Sequence, residues 1–285
     1  MAAKRIAIIA DSSASLTAEL LARERITTVP ISFLFDGETY QDGSLSATEF
    51  YDRLKTSKEV PKTTSPSPGE FTEAFLDARD SGADGALCLI MSSDLSSTFR
   101  AAETAAEIAH DKLAGFPVRV VDTGGLAMTH GFAVLAAAEA LKDGASIDEA
   151  AAAAVRVGSE AEFVGALETM RYLARGGRVP WIVHWAASAL QIKPVLAWSN
   201  GQVRPVARAR TMSGAIEKIV DYARGRAEGR KLRVAAMHAD APELAEALAA
   251  QASEQIESTD VIVTEFTTAM GVHRTGVRGA GVLRA

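Results

Sequence analysis

Two successive patterns predict an α/β architecture, with a mostly parallel N-terminal sheet flanked by helices and a C-terminal α+β domain. Through about residue 156, short apolar runs alternate with amphipathic stretches, and strand–helix alternation of this kind builds parallel sheets covered by helices. Beyond that point strands run into a hairpin before two helix–strand pairs close the pattern. At 285 residues the chain is long for a single core, so two domains are expected, 1–157 and 158–285. No Pro- or Ser-rich linker marks the join, and no internal repeat is visible.

The elements follow in order. Residues 5–10 are an apolar run of strand length, 16–23 show helical spacing, and 27–35 read as a second strand that the turn Asp36-Gly37 ends. Ser46 with Glu49 three residues later announces a helix over 47–55, because each side chain can satisfy an otherwise orphan backbone N–H. The same device recurs in Ser67-Pro68-Gly69-Glu70 before a helix over 71–80, and in Ser146 with Glu149 before one reaching about residue 156. Between these lie strands 85–91 and 118–121 and helices 95–110 and 126–142. The second half reads as strand 163–167, short helices near 171–175 and 181–190, and strands 194–198 and 202–207 around the hairpin signal Asn200-Gly201. Helices 213–227 and 242–253 with strands 232–237 and 260–266 complete it.

Composition bounds the function. A net charge of −6 offers no global basic field, which argues against nucleic acid as a partner. The one cysteine, Cys88, lies in an apolar run and has no partner for an intramolecular disulfide, so a reducing compartment and an inert thiol are expected. The N-terminus lacks the apolar core of a signal peptide, and no stretch is long enough to span a bilayer, so the expected location is cytoplasmic.

Three stretches place hydroxyls between a strand end and a helix: Asp11-Ser12-Ser13, Thr63-Thr64-Ser65-Pro66-Ser67, and Ser92 through Thr98. In a parallel sheet such loops gather at the carboxyl edge, where helix N-termini and free N–H groups suit a carboxylate or phosphate. Capping accounts for one hydroxyl per helix, and the Ser92–Thr98 run has more than that. An enzyme using Ser93 or Ser96 as a nucleophile, in hydrolysis or phosphotransfer, is the competing reading, and a regulatory module for another anionic metabolite is a third. The G-x-S-x-G elbow, the P-loop, the G-x-G-x-x-G fingerprint and the H-E-x-x-H zinc helix are all absent, which leaves no visible host for ATP, dinucleotide or zinc chemistry, and no metal site is expected. His110 and His184 read as structural or solvated and His130 as ambiguous. His273, in a glycine-bounded loop, is a better functional candidate than His238. Arginines cluster at Arg171, Arg175 and Arg178 around Gly176-Gly177, and at Arg204, Arg208 and Arg210; either group is a solvated face or an anion or partner contact.

These motifs, in order, resemble the DegV family, which includes the fatty-acid-binding subunits of bacterial fatty acid kinase. The resemblance spans Ile6 to Val282. It rests on Asp11-Ser12-Ser13-Ala14-Ser15-Leu16, Asp36-Gly37 with Tyr40 and Asp42-Gly43, Pro61-Lys62-Thr63 through Phe71, and Ser92 through Phe99. It continues in Leu173, Gly176-Gly177-Arg178, Ile192-Lys193-Pro194 and Arg208-Ala209-Arg210. The resemblance implies a non-catalytic protein holding one long-chain fatty acid in an apolar tunnel between its domains. Thr63, Ser93, Ser96 and His273 would bind the carboxylate, and Arg178 would contact phosphate or a partner. The implied partner is a separate ATP-dependent kinase subunit that forms the acyl phosphate, and transient contact with a membrane is compatible with lipid exchange. No cofactor beyond the bound fatty acid is implied. Three departures stand out: Thr63-Thr64-Ser65-Pro66 where the family often has Thr-Ser-Gln-Pro, Leu95-Ser96-Ser97-Thr98 for Leu-Ser-Gly-Thr, and His273-Arg274-Thr275-Gly276-Val277 for His-Thr-Gly-Pro-Gly.

Overall fold

The computed structural model describes residues 4–57, 59–167, 170, 192–199, 201–272 and 277–284. In chain order the strands of the first half are β1 (Ile6–Asp11), β2 (Ile26–Val29), β3 (Ser32–Phe35), β4 (Glu38–Gln41), β5 (Lys62–Thr64), β6 (Gly85–Ile90) and β7 (Val118–Asp122). Its helices are α1 (Ala18–Glu24), α2 (Ala47–Thr56), α3 (Pro68–Asp80), α4 (Thr98–Lys112), α5 (Met128–Lys142) and α6 (Ile147–Glu160). The second half contributes β8 (Glu162–Leu167), β9 (Lys193–Ser199), β10 (Gln202–Ala209), α7 (Met212–Ala227), β11 (Leu232–His238), α8 (Pro242–Gln255), β12 (Ser258–Glu265), α9 (Thr268–Gly271) and β13 (Val277–Arg284).

The chain divides into two compact units, Met1–Ser32 with Thr64–Ser159, and Phe33–Thr63 with Glu160–Ala285. A linear cut at 157/158 differs from this division chiefly by one excursion, residues 33–63, which packs in the second unit.

The first unit is the expected α/β layer. Its four-stranded sheet has the order β2-β1-β6-β7, and each neighbouring pair is parallel. β6 (Gly-Ala-Leu-Cys-Leu-Ile) is buried at every position, the signature of a central parallel strand covered on both faces. Cys88 is sealed within it, and burial pushes its thiol pKa well up, as expected of an inert cysteine. α5 is buried from Met128 to Leu135 without a break, so this helix has no solvent stripe there. Gly158 lets α6 approach the turn after β7, since a Cβ there would lie 1.9 Å from the Thr123 carbonyl oxygen.

The second unit carries a six-stranded sheet in the order β10-β9-β8-β13-β11-β12, antiparallel except for the parallel pair β11–β12. α7 buries Ala215, Ile216, Ile219, Val220 and Ala223 at helical spacing, and α8 buries Ala245, Leu248, Ala249 and Ala252, all in one cluster with β8, β9 and β11 residues. The buried Glu162 accepts from Tyr222 at 3.0 Å and pairs with Arg226 at 2.9 Å and Arg204 at 3.3 Å, tying β8 to α7 and β10. The excursion brings an aromatic cluster, with Phe50 edge-on to Phe33 at 5.4 Å, to Phe35 at 5.8 Å and to Tyr51 at 5.1 Å. It is fastened to the rest of its unit by Asp42, which accepts from Thr268 Oγ1 at 2.8 Å and Ala269 N at 3.0 Å, and by a Lys55–Asp240 pair at 3.6 Å.

Several elements differ from expectation. The strand expected over 27–35 breaks at Pro30, which has no N–H to donate, into β2 of the parallel sheet and β3 of a separate sheet ordered β4-β3-β5. β4 and β5 are too short and exposed to leave a periodic signal. β13 pairs with both β8 and β11, yet its sequence, Val-Arg-Gly-Ala-Gly-Val-Leu-Arg, reads as a flexible tail because its two glycines mask the alternation. The helices expected near 171–175 and 181–190 lie outside the described residues.

Candidate functional site

The loops at the carboxyl ends of β1, β6 and β7 are organised by two carboxylates. Asp11 Oδ1 accepts Ser13 N–H at 3.0 Å as well as the Ser13 hydroxyl, and Oδ2 accepts Met91 N–H at 2.8 Å. Asp122 Oδ2 accepts Ser93 N–H at 3.0 Å and Oδ1 accepts Gly124 N–H at 2.7 Å. Ser92, itself buried, donates its N–H to Gly125 O at 2.9 Å and receives Leu95 N–H on its carbonyl at 3.1 Å. The β6–α4 loop is therefore anchored at Met91, Ser92 and Ser93 before it reaches Ser96.

The three hydroxyl stretches separate into different kinds. The first is internally committed: Ser12 Oγ accepts Ile31 N–H at 3.1 Å, Ser13 donates to Asp11, and Ser15 donates to Ser13 O at 3.2 Å. In the second, Ser67 caps α3 in a capping box with Glu70. Ser65, however, reaches the third stretch, with its Oγ 2.7 Å from Ser97 Oγ and 3.4 Å from Ser96 Oγ. Ser96 Oγ is in turn 2.7 Å from Thr98 Oγ1 and accepts Thr98 N–H at 3.3 Å. Ser65, Ser96, Ser97 and Thr98 thus form one connected patch of hydroxyls at the start of α4.

That helix start differs electrostatically from those of α2, α3 and α6, each of which has a serine and a glutamate in reciprocal hydrogen bonds. Its N-cap residue does not cap it: Ser97 has φ −76° and ψ 3°, not the extended backbone of a working cap, and its hydroxyl turns to Ser65, so that, among the described residues, only the Thr98 N–H of the first turn is taken by a side chain, that of Ser96. The first turn carries no acid and instead has the exposed Arg100. The only acid beside it in the loop is Asp94, which is exposed. Uncapped N–H groups, the positive end of a four-turn helix dipole and several rotatable hydroxyls suit a guest oxyanion.

Of the expected site residues, Ser96 lies half-buried inside this patch. Ser93 is exposed three residues earlier on the same loop, its N–H held by Asp122. Thr63 is half-buried on β5, two residues before Ser65 in the chain, and belongs to the second unit. His273 and Arg178 lie outside the described residues. Among the described residues no imidazole or carboxylate hydrogen-bonds to the hydroxyl of Ser93 or Ser96. An imidazole–hydroxyl pair does exist, His130 Nδ1 with Thr123 Oγ1 at 2.9 Å, but both residues are buried. Sequence reasoning missed Ser65 as a member of the patch, and Asp11 and Asp122 as its organisers. An Asp that ends an apolar strand is the signal that could have found the last two.

The whole-chain order of these elements has counterparts. A model of the DegV family, described as an uncharacterised protein family, matches residues 5–284. The chain belongs to the DegV family. Among DegV relatives, a DegV domain-containing protein of Streptomyces coelicolor is 36% identical over 273 residues, covering 95% of both chains. One of Mycobacterium tuberculosis is 33% identical over 280 residues, covering 97% of this chain and 96% of the relative. Among solved structures, a DegV family protein from Thermus thermophilus, described for its fatty acid binding, superposes with a TM-score of 0.89 at 29% identity, over 99% of this chain and 100% of the other. A DegV lipid-binding protein from Thermotoga maritima superposes at 0.88 with 26% identity, covering 98% of each chain. DegV, a fatty acid binding protein from Bacillus subtilis, superposes at 0.84 with 26% identity, over 99% of this chain and 100% of that one.

Proposed function

We propose that this DegV protein binds a long-chain fatty acid and holds its carboxylate at Thr63, Ser93 and Ser96, with Ser65 added to the group. The single observation that carries this is the start of α4, where connected hydroxyls meet an uncapped helix N-terminus with no acid in the first turn. The fatty acid binding named for the Thermus and Bacillus proteins supports the choice of ligand. Burying about 15 methylenes at ~0.8 kcal/mol each supplies ample affinity before ordering costs are subtracted. A carboxylate held by neutral donors keeps its charge without a counter-ion, which suits a group that must later react.

In this reading the chain catalyses no step itself. It presents the carboxylate to a separate ATP-dependent kinase subunit, where a carboxylate oxygen attacks the terminal phosphorus of ATP to give the acyl phosphate and ADP. The resemblance assigns His273 a contact near the carboxylate and Arg178 a contact with phosphate or partner.

Organic extraction of the purified protein followed by mass spectrometry is expected to return fatty acid near equimolar with the chain. Protein that is repeatedly empty and takes up no added fatty acid overturns the binding reading. For the second half, fatty-acid-loaded protein incubated with a kinase subunit and ATP should yield a hydroxylamine-trappable acyl phosphate. Loaded protein that yields none with any such subunit, while the subunit remains active on another fatty-acid carrier, overturns the presentation role.

A further inference from the structure

The loops that carry the hydroxyl patch are joined at their bases by a buried polar chain that fatty-acid binding does not itself require. His130, in the first turn of α5, has Nε2 3.5 Å from Asp11 Oδ2 and Nδ1 2.9 Å from Thr123 Oγ1. Asp11, Thr123 and His130 are all buried. Asp11 lies at the end of β1, Thr123 just after β7, and the Met91 N–H that Asp11 accepts opens the β6–α4 loop. Three loops of one sheet edge therefore meet through one carboxylate and one imidazole.

Counting protons decides the tautomer. Thr123 Oγ1 accepts Gly125 N–H at 3.3 Å, so its single proton goes either to Ile90 O at 3.1 Å or to His130 Nδ1. Ile90 O already accepts Thr123's own N–H at 2.9 Å. With the hydroxyl turned to Ile90, Nδ1 would carry the ring proton and the bare Nε2 lone pair would face a carboxylate oxygen. With the hydroxyl turned to Nδ1, the ring proton sits on Nε2 and faces Asp11, which acts as acceptor towards each of its other neighbours. Burial lowers the His130 pKa from 6.5 against the opposing pull of Asp11 and Asp122, so above that pH the favoured ring is neutral, with one proton. At 3.5 Å the Nε2–H falls short of an ordinary hydrogen bond, and among the described residues Nε2 has no other partner, so its contact with Asp11 is a charge–dipole attraction.

We propose that His130, as the Nε2–H tautomer, is a positioning residue that couples the turn after β7 to Asp11 and so sets where the β6–α4 loop holds Ser93 and Ser96. The functional half of this rests on the fatty-acid reading; the tautomer does not.

The test uses the full chain, with palmitate as the probe. Nitrogen-15 NMR of the histidine ring is expected to show Nε2 protonated and Nδ1 bare. His130→Leu should weaken palmitate binding at least tenfold, while His130→Gln, whose amide N–H can stand in for Nε2–H, stays within threefold of wild type. If His130→Leu does not fold, His130→Asn, which keeps an acceptor for Thr123 but is too short to reach Asp11, takes its place with the same tenfold expectation. An Nδ1-protonated ring overturns the assignment. Palmitate uptake by the wild type with no loss in the Leu or Asn variant overturns the positioning role alone. A wild type that takes up no palmitate overturns the binding reading and with it the positioning role, while the tautomer stands or falls on the ring NMR.

Discussion

The helices α2 and α3 begin in the same way, and α4 begins in another. At Ser46 and Ser67 the backbone is extended, the hydroxyl accepts the N–H of the glutamate three residues on, and that glutamate reaches back to the cap's own N–H. Ser146 and Glu149 repeat the arrangement, with Ser146 N–H given to the carboxylate at 2.8 Å. Each of these starts carries its own anion. At α4 Arg100 occupies the position of the glutamate, and the serine that should cap has turned to another serine. A helix that keeps an internal carboxylate at its N-terminus has no use for a second. In the reading proposed above, one that lacks it and gathers hydroxyls instead leaves the place to a carboxylate from outside.

The strongest way to break this contrast is to make α4 resemble its neighbours. Arg100→Glu puts a resident carboxylate in its first turn, and fatty acid affinity is expected to fall about a hundredfold, ~2.7 kcal/mol, through like-charge repulsion near the guest. Arg100→Gln, which removes the cation without adding an anion, should stay within about threefold if repulsion is the cause. Titration calorimetry with a single fatty acid reads both. Equal losses in the two variants would mean that Arg100 itself held the ligand, and no loss in either would move the carboxylate away from α4. Removing one donor is milder: Ser96→Ala or Thr63→Val should each lower affinity roughly tenfold, ~1.4 kcal/mol, because a desolvated oxyanion is left short of a partner. Unchanged affinity in both would place the site elsewhere.

The capped starts were legible in the sequence and the uncapped one only in part, for a physical reason. A capping box is a local contract between residues three apart, so Ser46 with Glu49, Ser67 with Glu70 and Ser146 with Glu149 announce themselves without any tertiary information. The patch at α4 depends on Ser65, 31 positions before Ser96, and nothing in either stretch alone says that they meet. The surplus of hydroxyls in Ser92–Thr98 marked the loop, but the helix begins at Thr98, three residues later than its apolar spacing suggests, because Ser92 to Leu95 form a turn closed by the Leu95 N–H on Ser92 O. The centre of the four-stranded parallel sheet was readable because β1 and β6 carry unbroken apolar runs. β13 was not, because a strand with two glycines takes its place through backbone pairing on both sides, which no side-chain alternation reports.

The other side of the contrast is tested at α3. Ser67→Ala removes an accepting hydroxyl from the start of a thirteen-residue helix and is expected to cost ~1 kcal/mol of unfolding free energy in urea titration. Fatty acid affinity should not change. Loss of affinity without loss of stability would show that the α3 start, too, serves the ligand, and the division between self-capped and guest-capped helices would fall.

The smallest effect is the one most specific to the comparison. Hydrogen bonds from the side chain and backbone of Ser46 hold the Glu49 carboxyl below its ordinary pKa, and those from Ser146 do the same for Glu149. A carboxyl whose pKa is lowered on folding adds stability above the unfolded carboxyl range and loses it as pH falls through the folded pKa. Unfolding free energies of wild type and Glu49→Gln should therefore differ most above pH ~5, by a small amount for so exposed a group, and converge on acidification. Subtracting the two curves cancels every other titrating group. His130 is among these: its pKa is lowered by burial, so it has the opposite charge logic, binding its proton more readily in the unfolded chain and costing stability as pH falls below 6.5. The guest carboxylate at α4 should obey the same rule as Glu49. Bound to donors it holds its charge better than free, so fatty acid affinity should be flat above the ordinary carboxyl range and fall as the acid form takes over. A curve that rises on acidification would mean that the pocket selects the protonated head group, and α4 would then be an uncapped helix without a guest.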